Sequence, residues 1–274
     1  MLAQNNSSSA ALEYSLQLPF EADFQRQHER AFSWVQDVWA ATLWLSLLYV
    51  LLVFGGRRYM RTREAFELRP ALALWSGVLA VFSIVGAART IPETVLAVRQ
   101  HGFTYSVCSP SYFSHGVVGF WTYAFVLSKV YELGDTAFIV LRKQPLIFLH
   151  WYHHVTVLIY VWYSVGAQTA PGRWFMTVNY SVHALMYTYY CLRALRVRVP
   201  RAVNMCITLV QLLQMVVGLA INMYAWRARA QGAPCRQTDA NLVWSLLMYL
   251  SYLVLFAHFF HNTYLAPKVK VKSS

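Results

Sequence analysis

Apolar stretches of spanning length recur along the chain, each closed off by a polar or basic segment. They run at about 33–54, 70–91, 115–141, 145–166, 174–192, 202–226 and 241–262. A bilayer core about 30 Å thick takes about twenty apolar residues of helix, and each stretch is long enough. The pattern predicts an all-α, polytopic membrane protein with seven transmembrane helices. Residues 1–32 read as a polar N-terminal tail, 33–264 as one membrane domain and 265–274 as a short basic tail. No basic start and apolar core precede the first stretch, so no cleavable signal peptide is expected.

Charge adds an orientation. Only 12% of residues are charged, about half the share of a soluble domain, which is near 25%. The net charge is +12, but its placement follows the spans and sets nucleic-acid binding aside. Basic clusters follow the first span (Arg57, Arg58, Arg61, Arg63, Arg69), the third (Arg142, Lys143), the fifth (Arg193, Arg196, Arg198, Arg201) and the seventh (Lys268, Lys270, Lys272). Cytosolic ends carry such excess, so the N-terminus is expected in the lumen and the C-terminus in the cytosol. Arg227, Arg229 and Arg236, on the opposite side, dilute the bias.

Three details agree with this orientation. Asn5 and Asn6 head overlapping glycosylation sequons in the lumenal tail. Lys270 and Lys272 resemble a dilysine retrieval signal, which would place the protein in the endoplasmic reticulum membrane; a basic anchor at the membrane edge is the alternative. Cys108 and Cys235 both fall in lumenal loops, where oxidation is permitted, and are expected to pair. Cys191 and Cys206 lie near cytosolic span ends and should stay reduced.

The candidate chemistry lies in His150-Trp151-Tyr152-His153-His154. On a helix, positions i, i+3 and i+4 share one face, so the three imidazoles meet. At 1.5 Å per helical residue, His153, His183, Glu132 and Gln211 all lie roughly 12–15 Å from the cytosolic basic residues. Lys129, Asp135, Asn179, Tyr187 and Gln214 surround that layer. Lys129, Glu132 and Asp135 follow a three-residue spacing, and Asn179, His183, Tyr187 and Tyr190 form one helical stripe. Ionisable groups at membrane depth are expensive and usually face a functional cavity. His28, His101 and His115 sit in or beside lumenal loops, outside the layer, and His258 and His261 sit near the cytosolic mouth.

Several chemistries fit such a layer. A mononuclear metal site could use His150, His154, His183 and Glu132, although no second histidine box accompanies the first. Without metal, an imidazole can act as base or nucleophile on a thioester. Cys191, the rival nucleophile, lies nearer the cytosol and off the His183 stripe. A proton-coupled transporter or a receptor would also bury such groups, but would more often show internal repeats.

Four segments carry a more specific signal. They are Lys129-Val130-Tyr131-Glu132-Leu133-Gly134-Asp135-Thr136, the box from His150 to His154, the run Asn179 to Tyr190, and Thr208-Leu209-Val210-Gln211-Leu212-Leu213-Gln214. In this order they resemble the signature motifs of the very-long-chain fatty acid elongases, over nearly the whole chain. Residues Arg142 to Tyr152 are similar to the branch acting on saturated and monounsaturated acyl chains. Gly134 and the N-terminal tail read as ordinary variation.

The resemblance implies a 3-ketoacyl-CoA synthase that joins a long-chain acyl-CoA to malonyl-CoA without a cofactor or metal. It implies seven helices, six of them enclosing a tunnel closed at the lumenal end. It also implies a two-stage reaction with His153 as nucleophile and His150, His154 and His183 as proton carriers and orienters. Asn179, Gln211 and Gln214 would donate to thioester or enolate oxygen, and Lys129–Glu132 would hold the third span in register. Arg142, Lys143, Arg193, Arg196, Arg198 and Arg201 surround the cytosolic mouth, where CoA phosphates would bind. Trp174 and Trp226 are candidates for closing the tunnel. Expected partners are the bilayer, the other enzymes of the elongation cycle and a second copy in a homodimer.

Overall fold

Among residues 17–266, which the computed structural model describes, the chain forms nine α-helices and no β-strand. They are α1 (Pro19–Val38), α2 (Ala41–Tyr59), α3 (Arg69–Cys108), α4 (Gly116–Tyr131), α5 (Gly134–Leu141), α6 (Phe148–Gly166), α7 (Gly172–Ala194), α8 (Arg201–Ala230) and α9 (Asp239–Phe260). Asn5, Asn6, Lys270 and Lys272 lie outside the described residues. Four helical segments are long and apolar enough to cross a membrane: Ala41–Thr62, Arg69–Cys108, Arg201–Ala230 and Asp239–Leu265. The chain is thus a multi-pass membrane protein. Helices α6 and α7, of 19 and 23 residues, have spanning length, but their histidines and polar groups lower their mean hydropathy.

Two expected spans are built differently. The stretch 33–54 divides at Trp39–Ala40, so α1 ends there and α2 carries the apolar run up to Phe54. Helix α1 runs across the expected boundary at residue 33 and packs against α4 and α6. The stretch 115–141 divides into α4 and α5 at Glu132–Leu133. Trp75 of α3 packs at this break. The Trp75 indole lies against the start of α5, where a Cβ on Gly134 would come within 2.6 Å of its ring. Trp75 Nε1 then donates to Asp135 Oδ1 at 2.7 Å. Gly134 is therefore required by close approach and is not ordinary variation. Helix α3 extends beyond the expected 70–91 and bends at Gly102, whose φ of +84° is left-handed.

Helix packing closes a circuit. Helix α3 packs on α4, α4 on α6, α6 on α9, α9 on α8, α8 on α7, and α7 most extensively back on α3. Helix α2 lies outside this circuit, against α5 and α6. An aromatic core of Phe32, Trp121, Phe125, Trp162 and Tyr180 joins α1, α4, α6 and α7.

One end of the bundle carries a cluster of buried polar contacts. Arg173 is fully buried and donates from Nε to Glu93 Oε2 at 3.0 Å, from Nη1 to the Ser106 carbonyl at 2.7 Å and from Nη2 to Ser111 Oγ at 2.8 Å. Beside it Cys108 and Cys235 form the expected disulfide. Trp174 Nε1 donates to Ser106 Oγ at 3.1 Å in the same region. Trp226 is 53% exposed on the outside of the bundle, so it does not close an interior.

Glu21 shows a second buried ion pair. Its carboxylate accepts from Arg89 Nε at 2.9 Å, Trp121 Nε1 at 2.8 Å and the Leu18 N–H at 2.9 Å, and it pairs with Arg89 Nη2. Burial raises its pKa, but the hydrogen bonds and charge of Arg89, with Leu18 and Trp121, outweigh burial and hold it below the ordinary 4.5. A depressed carboxylate contributes stability that is full above pH 4.5 and is lost as pH falls through the lower, folded value. Glu21→Gln is expected to lose about 2 kcal/mol at neutral pH, below the usual buried pair because Arg89 is still 15% exposed. Melting curves in detergent from pH 7 to about pH 3 test this. A variant that melts with the wild type at pH 7 would overturn it.

Candidate active site

A cavity of about 160 Å³ lies between α6, α7, α8, α9 and the α4–α5 break. His150, His153, His154 and His183 line it with Glu132, Asp135, Asn179, Tyr187, Gln211 and Gln214. Every member of the expected polar layer except Lys129 therefore reaches one space. Lys129 stands directly behind it, donating from Nζ to Glu132 Oε1 at 2.7 Å and to Asn179 Oδ1 at 3.1 Å. Phe256 and Phe259 of α9 supply an apolar wall.

The spacing of the box does what helical geometry dictates. The His150 and His154 rings, one turn apart, lie 4.5 Å from centroid to centroid, and those of His153 and His154 lie 5.5 Å apart. His150 Nε2 is bonded to Thr136 Oγ1 at 2.9 Å, and Thr136 to Tyr49 OH at 2.7 Å. His183 Nδ1 lies 3.8 Å from Glu132 Oε1. Among the described residues, neither His153 nor His154 has a ring nitrogen in a hydrogen bond. His154 is nearly buried, at 6% exposure. The His153 ring packs on Tyr252, 4.9 Å away, and retains more access. His153 is thus the least committed imidazole facing the cavity.

Other side chains fix the frame. Asp135 accepts from Tyr187 OH at 2.7 Å as well as from Trp75. Gln211 Nε2 contacts Met186 Sδ at 3.3 Å. Cys191 does not line the cavity; its sulfur faces α3, 3.5 Å from where a Cβ on Gly77 would stand. The groups named for a mononuclear metal site are engaged otherwise, His150 by Thr136 and Glu132 by Lys129 and Ser128. No group of three His, Cys, Asp or Glu among the described residues is disposed to hold a metal ion. His258 and His261 are exposed near the end of α9, with His258 bonded to Asn262.

A second cavity, of about 410 Å³, adjoins the first through Asp135, His150 and Tyr190. Arg142 and Arg193 line it, together with Arg69 and Gln144. The other basic candidates are elsewhere. Lys143 turns onto the carbonyls of Arg61 and Arg63 at 3.2 and 2.9 Å. Arg201 reaches the Thr263 carbonyl at 3.3 Å. Arg196 and Arg198 are exposed and line neither cavity. Arg69 belongs to the basic cluster after the first span and lies outside the set expected to bind CoA; the fold brings it beside Arg142 and Arg193.

Residues 34–272 match the ELO family, described as GNS1/SUR4. The chain belongs to the ELO family. Curated ELO-like relatives align over most of both lengths. "Very long chain fatty acid elongase 6" from Drosophila melanogaster is 49% identical over 266 residues, 96% of this chain and 84% of that protein. The Gallus gallus protein of the same name is 51% identical over 257 residues, covering 92% and 96%. "Very long chain fatty acid elongase 3" from Homo sapiens is 46% identical over 242 residues, covering 87% and 88%. In this ELO protein the matched region contains both cavities and the disulfide.

Proposed function

We propose that the histidine cavity joins a long saturated or monounsaturated acyl-CoA to malonyl-CoA through an acyl-imidazole on His153. The protein is a very-long-chain fatty acid elongase, a 3-oxoacyl-CoA synthase, as its family and its relatives at about half identity indicate. Its substrates are acyl-CoA and malonyl-CoA. The observation carrying the mechanism is that imidazoles from α6 and α7 line one cavity in which the His153 ring is uncommitted.

In the first stage a neutral His153 nitrogen attacks the thioester carbonyl. A C–N bond forms, the C–S bond breaks, and the imidazole proton passes by way of His154 or His183 to the leaving CoA sulfur. In the second stage malonyl-CoA loses CO2. Its enolate carbon attacks the acyl carbonyl, a C–C bond forms, the C–N bond breaks, and the freed imidazole takes up one proton. Asn179, Gln211 and Gln214 donate to oxygen atoms that gain charge. Glu132 orients His183, and Lys129 with Asn179 fixes Glu132. Arg142, Arg193 and Arg69 hold CoA phosphates in the second cavity.

In the membrane, α4 with α5 forms one crossing, and α2, α3, α6, α7, α8 and α9 form the rest, seven in all. The circuit of six surrounds an acyl tunnel closed at the end bearing Arg173 and the disulfide. That end is lumenal and the arginine-lined cavity opens to the cytosol, in agreement with the distribution of basic residues. Residues 33–264 make up the membrane domain, between a lumenal tail with Asn5 and Asn6 and a cytosolic tail whose Lys270 and Lys272 retain it in the endoplasmic reticulum. The other enzymes of the cycle and a second copy of the chain are its partners there.

Purified enzyme given acyl-CoA alone, quenched rapidly and weighed intact, is expected to gain the mass of one acyl group. Radiolabelled malonyl-CoA added next is expected to convert that adduct into extended, labelled product. Labelled product without any adduct would replace the two-stage route by a single-step condensation.

A further inference from the structure

His150 differs from its neighbours in having a ring nitrogen engaged by an uncharged side chain. Its Nε2 meets Thr136 Oγ1, and Thr136 meets Tyr49 OH. Thr136 is fully buried and Tyr49 is 6% exposed. A buried hydroxyl proton needs an acceptor, and leaving one unmet is costly. Were Thr136 to accept from both His150 Nε2–H and Tyr49, its own proton would lack an acceptor among the described residues, which leaves two relayed directions that fit the distances. If His150 Nε2–H donates to Thr136, then Thr136 donates to Tyr49, and the tyrosine proton has nowhere to go among the described residues. If Tyr49 donates to Thr136 and Thr136 to Nε2, all three groups are satisfied. The second direction leaves Nε2 unprotonated and the His150 proton on Nδ1.

We propose that Tyr49 and Thr136 are positioning residues that lock His150 in the Nδ1–H tautomer, so that a neutral imidazole presents one fixed N–H to the acyl oxygen. The inference rests on the reading of the cavity as the condensing site. Both stages put negative charge on the acyl oxygen, and a donor already oriented stabilises it without reorganising. A neutral imidazole can do so in a dry site without being protonated first. With Nε2 taken up by Thr136, Nδ1 is the nitrogen left for substrate, and in the other tautomer it would present a lone pair and repel the oxyanion. The arrangement also gives α2 a role. It lies outside the circuit of six helices, yet Tyr49 carries it to the histidine layer, with its ring 6.4 Å from that of His154.

The test uses the full chain in detergent with four variants: Thr136→Val, Thr136→Ser, Tyr49→Phe and the double Tyr49→Phe/Thr136→Val. Thr136→Val is expected to lower kcat about tenfold or more while KM for both thioesters changes less than about twofold, the range for losing a partner that orients a working group. Thr136→Ser restores the hydroxyl and is expected within about threefold of wild type. Tyr49→Phe is expected to lose about threefold, and the double variant no more than Thr136→Val, because both act through one bond. In ¹⁵N spectra of histidine-labelled wild type, with His150→Gln assigning the signal, His150 is expected to be the Nδ1–H form and to become mixed in Thr136→Val.

The inference is overturned if Thr136→Val keeps kcat within about twofold, if the two substitutions multiply, or if wild-type His150 carries its proton on Nε2. Should Thr136→Val fail to fold, Tyr49→Phe and the wild-type tautomer decide. Acyl adduct formation by the wild type is followed in parallel. Its absence would sink the two-stage reading alone, while the tautomer and the kcat pattern still judge the role of Thr136.

Discussion

His153→Ala is expected to lower elongation about 10⁴-fold or more, the scale on which removing a covalent nucleophile acts. At 1.36 kcal/mol per factor of ten, that is about 5.5 kcal/mol of transition-state stabilisation. The fold should survive. The His153 ring lines a cavity and bonds no described residue through its nitrogens, so its removal strands no buried polar partner. Its main packing loss is the Tyr252 contact, and Tyr252 remains tied to Thr156 Oγ1 at 2.6 Å. The melting temperature should therefore move little while turnover and the acyl adduct disappear together. His154→Ala separates nucleophile from proton carrier: it should still form the adduct, but slowly, because His154 stands between His150 and His153. An adduct persisting on His153→Ala and mapping to His183 would move the nucleophile to α7. Turnover near the wild-type rate would remove covalent catalysis at His153 altogether.

The site was more legible in the sequence than the fold, and for a physical reason. Burying ionisable groups is expensive, so a chain that places imidazole, carboxylate and ammonium at one depth marks the layer by composition alone. Helical periodicity then puts His150, His153 and His154 on one face, as the cavity bears out. The disulfide was legible because the apolar pattern leaves both cysteines outside the expected spans and at the same end. What stayed hidden depends on which helices meet. The α1–α2 break falls at Trp39–Ala40, where no Gly or Pro marks a turn. The α4–α5 break packs against Trp75, some sixty positions away in sequence. Glu21–Arg89 and Glu93–Arg173 join residues that look like ordinary helix flanks until the fold brings them together across α1, α3 and α7. Thr136 stood inside a quoted motif, next to Asp135, yet a threonine shows no chemistry until Tyr49 and His150 are placed on either side of it. Among the arginines, spacing cannot tell which side chains line the second cavity: Arg69, Arg142 and Arg193 do, and Arg196 and Arg198 do not.

Lys129→Met is expected to abolish both stable folding and activity, whereas Lys129→Met combined with Glu132→Leu is expected to restore folding alone. Lys129 and Glu132 are 2% and 3% exposed. The ammonium donates to Glu132 and Asn179 and sits 4.2 Å from the Phe125 ring centroid. Glu132 Oε1 also accepts from Ser128 Oγ at 3.0 Å, while Oε2 has no partner among the described residues. With the lysine gone, the carboxylate is left buried with Ser128 as its remaining bonded donor. Breaking a buried pair in this way destabilises by about 3–5 kcal/mol. Replacing both charges with apolar groups of similar size removes that penalty and is often neutral. Activity should stay down about a hundredfold in the double variant, because His183 loses the carboxylate that orients it and Asn179 loses the donor that fixes its amide. Size-exclusion profiles and melting in detergent, read beside turnover, separate the two effects. A single variant as stable as wild type would mean the ion pair contributes nothing to the fold. A double variant with full turnover would reduce the network to scaffolding and leave His183 oriented by its own packing against Tyr187.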